Sequence, residues 1–230
     1  MAKRKKIKLT KQQQILVEYG IISSFMVIAF FMWNTFLIYP IKLFVIIAHE
    51  ISHAVAAILT GGKIDSVLIT NALKGETRTI GGVKFIIASA GYLGSLLFGI
   101  FLFISGYREK FRKLFSISLA IIFILFAANY FEGYLGKIAA TLFAAVFMIV
   151  PFYLSQNFNR YFFKIIGLIS MLYVLIDIKE DLFTDVYRPS DAQYIAALTS
   201  TSATVWSVLW LLISLIIIFV SINWGLKQKQ

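Results

Sequence analysis

The chain has 230 residues, of which 60% are hydrophobic and 14% are charged, and its formal net charge is +11. A soluble domain of this length is nearer half apolar and a quarter charged, so the composition excludes an ordinary soluble enzyme and indicates a membrane protein. There is no cysteine, which excludes disulfide frameworks and thiolate metal sites. The basic residues cluster at segment ends, at 3–11, 108–113 and 227–229, which is typical of anchoring at an anionic membrane face rather than of nucleic acid binding.

The chain starts with a basic arm, residues 1–19, and a first apolar segment follows at 20–38. This segment is longer than the apolar part of a signal peptide and offers no small-residue cleavage site, so we expect a retained helix. Further spanning segments are predicted at 41–59, 83–105, 114–131, 134–154, 161–182 and 204–225. We therefore predict an all-α polytopic membrane protein with six or seven transmembrane helices. It forms one domain, residues 20–226, with a short polar tail at 227–230.

A polar stretch, residues 63–84, separates the second and third segments. It contains two short β-prone runs around a glycine, and glycine pairs at 61–62 and 81–82 bound it. Since glycine often ends a helix and opens a turn, we predict a small β-hairpin over residues 63–82, directly after the second helix.

The next apolar run, residues 85–104, contains the small-residue stretch Ala88–Ser95. Such residues fit either a re-entrant break or the close packing of a straight helix. With a re-entrant segment, all the basic clusters fall on one face of the membrane. With seven full spans, the basic residues 108–113 fall on the face opposite the N-terminus, against the positive-inside tendency. Both alternatives remain open at the level of sequence.

The second segment carries His49-Glu50-Ile51-Ser52-His53, and these two histidines are the only ones in the chain. Four residues on a helix turn through about 400°, so both imidazoles share one face. Neutral imidazoles leave Zn²⁺ with much of its charge, and the ion can then acidify water. Glu50 would take the proton of that water and pass it to the leaving amine. The motif predicts a hydrolytic zinc site with His49 and His53 as ligands and Glu50 as the catalytic base.

A hydrolytic zinc site is expected to have a third protein ligand, which must be Asp or Glu because no other histidine or cysteine exists. Asp177 is our first choice, since it alone lies well within another apolar segment. Glu180 and Asp181 are nearby substitutes. Asp191 is the main rival, although its sequence, Ser-Asp-Ala-Gln, resembles a capping box in which an acid needs no metal to explain it.

The ordered series of motifs resembles the site-2 protease family of membrane-embedded zinc metallopeptidases, in particular its bacterial B-like branch. The resemblance covers residues 48–54, 59–62, 77–82, 90–95, the surroundings of Asp177, residues 190–192, Trp206 and Trp210. It implies that His49 and His53 bind zinc, that Glu50 activates water, and that an aspartate of a later helix, Asp177, is the third ligand. Where better-known members have Leu-Asp-Gly, this chain has Ile-Asp-Ile, and Ala-Gly-Tyr-Leu-Gly-Ser replaces Ala-Gly-Pro-x-x-Asn.

We therefore predict a zinc metalloendopeptidase that hydrolyses peptide bonds in or near the bilayer by zinc-activated water. Its expected partners are membrane lipid and a membrane-protein or peptide substrate, and its expected location is the bacterial cytoplasmic membrane, as a multi-pass protein. The alternative is a non-proteolytic zinc-binding scaffold or a transporter-like protein built on a protease-like core. The enzyme is favoured because the intramembrane acids are concentrated in the motif helix and at Asp177, whereas a transporter would carry them on several helices.

Overall fold

The computed structural model describes residues 10–33, 35–183 and 190–228, and within them the chain forms eight helices and three short strands. In chain order these elements are α1 (Lys11–Phe31), α2 (Tyr39–Leu59), β1 (Lys63–Ile69), β2 (Gly75–Ile80), α3 (Lys84–Ser105), α4 (Glu109–Asn129), β3 (Phe131–Glu132), α5 (Tyr134–Tyr153), α6 (Gln156–Phe183), α7 (Asp191–Thr199) and α8 (Ala203–Lys227). The prediction of an all-α polytopic protein with a small hairpin is confirmed.

Six of the described helices, α2 to α6 and α8, are long and apolar enough to cross a bilayer. The apolar part of α1 is shorter, Leu16–Phe31, and α7 has only 9 residues. Helix α1 begins inside the stretch that the sequence analysis assigned to a basic arm. Its start is a capping box: the Thr10 hydroxyl accepts from the Gln13 N–H, and the Gln13 side chain accepts from the Thr10 N–H at 2.9 Å.

Helix α3 is continuous over 22 residues, so its small residues do not break it. They permit close helix packing instead. A Cβ at Gly94 would overlap the Ser52 side chain of α2, and a Cβ at Gly99 would lie 2.7 Å from Met171 Cγ of α6. Of the two alternatives for this segment, the structure adopts the straight helix that packs through small residues.

Helix α2, which carries the motif, is the most enclosed of the six spans. Within the described chain, 72% of the apolar stretch of α2 is buried, against 28–50% of the corresponding stretch in each of the other five helices. Pro40 suits the first turn of this helix, and the helix ends before Gly61, whose φ of +83° favours glycine. Because neighbouring elements cover most of α2, the side chains of Glu50, Ser52 and His53 are buried inside the protein.

The predicted hairpin is present and forms part of a three-stranded sheet. Strands β1 and β2 pair antiparallel, and β3 adds two residues parallel to β1, in the order β2-β1-β3. The flanking glycine pairs meet at the base of the hairpin, where a Cβ at Gly62 would lie 2.9 Å from the Gly81 carbonyl carbon. Gly81 and Gly82 have φ of +75° and +77°. This close approach holds the hairpin against the end of the motif helix.

Candidate metal centre

The two motif histidines converge on one carboxylate oxygen. Asp191 Oδ2 lies 3.1 Å from His49 Nε2 and 3.3 Å from His53 Nε2. The imidazole centroids are 4.7 Å apart, as one turn of α2 requires. Among the described residues, these three form the one group of potential metal ligands whose donor atoms all lie within 4.8 Å of one another.

Asp191 reaches the histidines because it is the first residue of α7, a short helix that is buried on one face. The Ser190 hydroxyl accepts from the Gln193 N–H at 3.3 Å and caps α7, as the sequence around Asp191 indicated. Ala192 and Ile195 are fully buried and anchor α7 against α3 and α8. Since Ser190 provides the cap, the Asp191 carboxylate is available to face the histidines.

Asp177, the first choice of the sequence analysis, lines the same cavity but does not belong to the group of three. The side chains of Glu180 and Asp181 lie outside the described part of the structure. Asp191 was ranked lower because it lies between two apolar segments rather than within one, and because a capping box explains an acid there without a metal. Its burial comes from the packing of α7 between other helices, which sequence hydropathy does not report. The geometry therefore favours Asp191 over Asp177.

The three donor atoms fit a divalent metal ion. Ligand atoms on a tetrahedral zinc with bonds of about 2.0–2.1 Å lie about 3.3 Å apart, close to the two separations observed here. Asp191 Oδ2 is buried and accepts no hydrogen bond within the described part of the chain, and such an acceptor requires a partner. A Cβ at Gly91 would overlap both the Asp191 carboxylate and the His49 imidazole, so glycine at this position leaves room for the donor set.

The charge state of Asp191 also suits a metal ligand. Burial acts to raise the pKa of its carboxyl, but the protonated forms of the neighbouring His53 and His49 imidazoles outweigh burial and hold this pKa below its usual range. Asp191 is therefore a carboxylate at neutral pH, which is the form that binds zinc.

Neighbours orient both imidazoles. His53 Nδ1 lies 2.6 Å from the carbonyl oxygen of Ile87, and since a carbonyl only accepts, Nδ1 is the donor. In the neutral imidazole, the form that binds a metal ion, the lone pair of His53 is then on Nε2, the atom that faces Asp191. The His49 ring packs edge-on against Tyr92, with centroids 5.6 Å apart and planes at 88°.

Glu50 lies beside the ligand group but is not part of it. Its side chain is held by β2, where the Thr77 hydroxyl donates to Glu50 Oε2 at 2.6 Å. A Cβ at Gly75 would overlap the Glu50 carboxylate, so this strand approaches Glu50 very closely. Sequence reasoning missed Thr77 and Gly75, because no local pattern indicates which residues of a hairpin face the preceding helix.

The site opens into a cavity of about 820 Å³. It is lined by the motif residues, by Asp191 and Asp177, and by side chains of β2 that include Thr77 and Thr79. Its volume is typical of a ligand-binding cleft, and unlike the surrounding bundle it has a partly polar wall.

Fold and site together define a polytopic membrane protein that carries a metallopeptidase motif on its most enclosed helix. A family model described as Peptidase M50B-like matches residues 22–221. The chain belongs to this family, the M50B branch of the site-2 proteases, and the resemblance found in the sequence is confirmed. Searches of curated proteins and of solved structures give no significant match.

Proposed function

We propose that this protein is a membrane-embedded zinc metalloendopeptidase that hydrolyses peptide bonds in or near the bilayer. The observation that carries the proposal is the convergence of His49, His53 and Asp191, with Glu50 beside them on α2, the helix that carries both histidines. Membership of the M50 metallopeptidases supports it. Ionisable groups are costly inside a membrane, and a metal site explains why they are collected here.

In this proposal His49, His53 and Asp191 hold the ion. Bound zinc supplies a Lewis acid that polarises the scissile carbonyl and acidifies water. Glu50 accepts the proton of the attacking water and delivers it to the leaving amine. Thr77 engages Glu50 Oε2, which leaves Oε1 to exchange the proton. The expected substrate is a membrane protein or a peptide that enters the cavity.

Removal of the metal tests the proposed function. Treating the detergent-solubilised protein with a zinc chelator is expected to stop cleavage of a transmembrane peptide, because the carbonyl loses its Lewis acid. Added Zn²⁺ should restore cleavage, whereas Mg²⁺ should not, since Mg²⁺ prefers oxygen ligands. Peptide products are measured by mass spectrometry, with His49→Ala as the matched inactive control. Full cleavage by the metal-free protein would contradict the proposal.

Thr77→Val is expected to lower kcat by about 10- to 100-fold with little change in KM. A hydrogen bond to a charged group contributes about 1.5–3 kcal/mol, and without it Glu50 is held less precisely for proton transfer. Valine keeps the shape of the side chain, and Thr77→Ser, which keeps the hydroxyl, should retain most of the rate. Steady-state kinetics and zinc content are measured for both variants. Equal rates for valine and serine would show that the hydroxyl has no positioning role.

A further inference from the structure

Helix ends that are far apart in sequence meet at one end of the bundle. Arg108, in the turn between α3 and α4, donates to the Gln228 side chain at 2.9 Å, just after α8. Arg112, at the start of α4, donates to the side chain of Gln156, the first residue of α6. We call this end, defined by Arg108, Gln156 and Gln228, the basic end.

Helix α1 reaches the basic end too. Glu18 is buried there in an ion pair with Lys164 of α6, and it accepts from the Tyr107 hydroxyl at 3.3 Å. Further along α1 the chain moves away from this end: Trp33, just after the helix, packs against Tyr173, with ring centroids 5.6 Å apart. The start of α1 therefore lies at the basic end, next in sequence to the basic residues at 3–11.

Six spans account for this arrangement without a re-entrant segment. Each crossing takes the chain to the other face of the membrane. Counted from the start of α2, the turn after α3 follows two crossings, the turn after α5 follows four, and the end of α8 follows six. Even numbers return the chain to the same face. The conflict between seven full spans and the basic clusters disappears because α1, with its shorter apolar part, is not one of these six crossings.

The metal-ligand group lies toward the opposite end of the bundle. His53 contacts the carbonyl of Ile87, and His49 lies beside Gly91. At 1.5 Å per residue these positions are about 5 and 10 Å from the start of α3 at Lys84, whereas Ser105 lies about 21 Å beyond Gly91, toward the basic end. The hairpin and the start of α8 lie at the same end as Lys84. There the rings of Phe85 and Trp206 pack together, with centroids 5.3 Å apart.

Basic residues are more frequent at the basic end. The described chain carries nine Lys and Arg there, and five more precede the start of α1 in the sequence, at positions 3–8. The nine are Lys11, Lys42, Arg108, Lys110, Arg112, Lys113, Arg160, Lys164 and Lys227. The opposite end carries six of the described chain, Lys63, Lys74, Arg78, Lys84, Lys137 and Lys179. Lys and Arg near the ends of spans favour the cytoplasmic side.

We propose that the basic end faces the cytoplasm, and that the metal centre and the hairpin open toward the opposite, non-cytoplasmic face of the membrane. Water then reaches Glu50 from that face. The substrate class follows if the proposed function holds: membrane proteins whose scissile bond lies near the non-cytoplasmic boundary of the bilayer.

Cysteine labelling tests this orientation cleanly, because the chain has no cysteine of its own. Ala72→Cys places a thiol in the exposed hairpin turn, and Lys110→Cys places one at the exposed basic end. Both variants are expressed in the bacterial cytoplasmic membrane, and spheroplasts are treated with a membrane-impermeant maleimide. We expect Ala72→Cys to be labelled on intact spheroplasts and Lys110→Cys only after permeabilisation. The reverse pattern, or labelling of both on intact spheroplasts, would overturn the proposal.

A second pair, Glu76→Cys and Arg160→Cys, repeats the comparison at other exposed positions should a variant of the first pair fail to accumulate. Labelling after denaturation gives the total thiol for each variant. The readout needs no hydrolysis, so the same pattern is expected when Glu50→Gln is added. A reversed pattern would reject the orientation and leave the proposed peptidase untouched, whereas a hydrolytically inactive protein with the expected pattern would do the opposite.

Discussion

Asp191→Ala is expected to deprive the purified protein of its zinc, whereas Asp177→Ala is expected to keep it. Asp191 Oδ2 lies within 3.3 Å of both histidine Nε2 atoms, and its loss removes one of three donors. Asp177 lines the cavity outside the group, so its removal changes the surroundings of the site. Loss of a residue that only hydrogen-bonds to a metal ligand costs about 10- to 100-fold in metal affinity. Loss of Asp191, a direct ligand, should therefore cost more than that. Zinc per chain is measured by elemental analysis after dialysis.

Asp191→Asn is the matched control for this pair. Asparagine keeps the size of the side chain, so α7 should still pack through Ala192 and Ile195 while the charged donor is lost. Thermal unfolding of each variant, measured without added metal, separates loss of the ligand from loss of the fold. If Asp177→Ala loses zinc and Asp191→Ala retains it, the ligand first chosen from the sequence is the true one and our assignment of Asp191 is wrong.

Glu50→Gln is expected to keep zinc and the fold but to lower hydrolysis by about 10²–10⁴-fold, the usual contribution of a general acid–base. The glutamine carbonyl can still accept from Thr77 in the narrow space against Gly75, so the local structure should persist. The amide has no basic oxygen that can take a proton from water. Cleavage of a transmembrane peptide and zinc content are measured on the same preparation.

The same variant separates the peptidase from the alternative function. A zinc-binding scaffold or a transporter-like protein needs the metal site but not a base, so its function should survive Glu50→Gln. His49→Ala is the comparison, because it removes the metal and should abolish either function. Hydrolysis by Glu50→Gln at the rate of the unmodified protein would rule out Glu50 as the base.

Local pattern was enough to predict much of this molecule. The long apolar runs, the glycine pairs around the hairpin and the helical spacing of His49 and His53 each depend on residues close together in the chain. Their physical causes act at that range: burial of apolar helices in lipid, left-handed backbone at glycine, and the 3.6-residue turn. The family resemblance rested on the same ordered motifs, and the family match over residues 22–221 confirms it.

The remaining features depend on how distant segments meet. Hydropathy alone could not show that Glu18 of α1 pairs with Lys164 of α6 inside the protein, since the two residues are 146 positions apart. Nor could it show that Thr77 of strand β2 would donate a hydrogen bond to the Glu50 carboxylate of helix α2.

The amino-acid sequence by itself determined that this is a polytopic membrane protein with two imidazoles and an adjacent carboxylate on one helix. Only the tertiary structure decided which acid joins them. Asp177 lies within an apolar segment and is visible in the sequence, whereas Asp191 reaches the histidines because α7 packs between α3 and α8. A metal site is built from donors that converge in space, and convergence is a property of helix packing that no local pattern encodes.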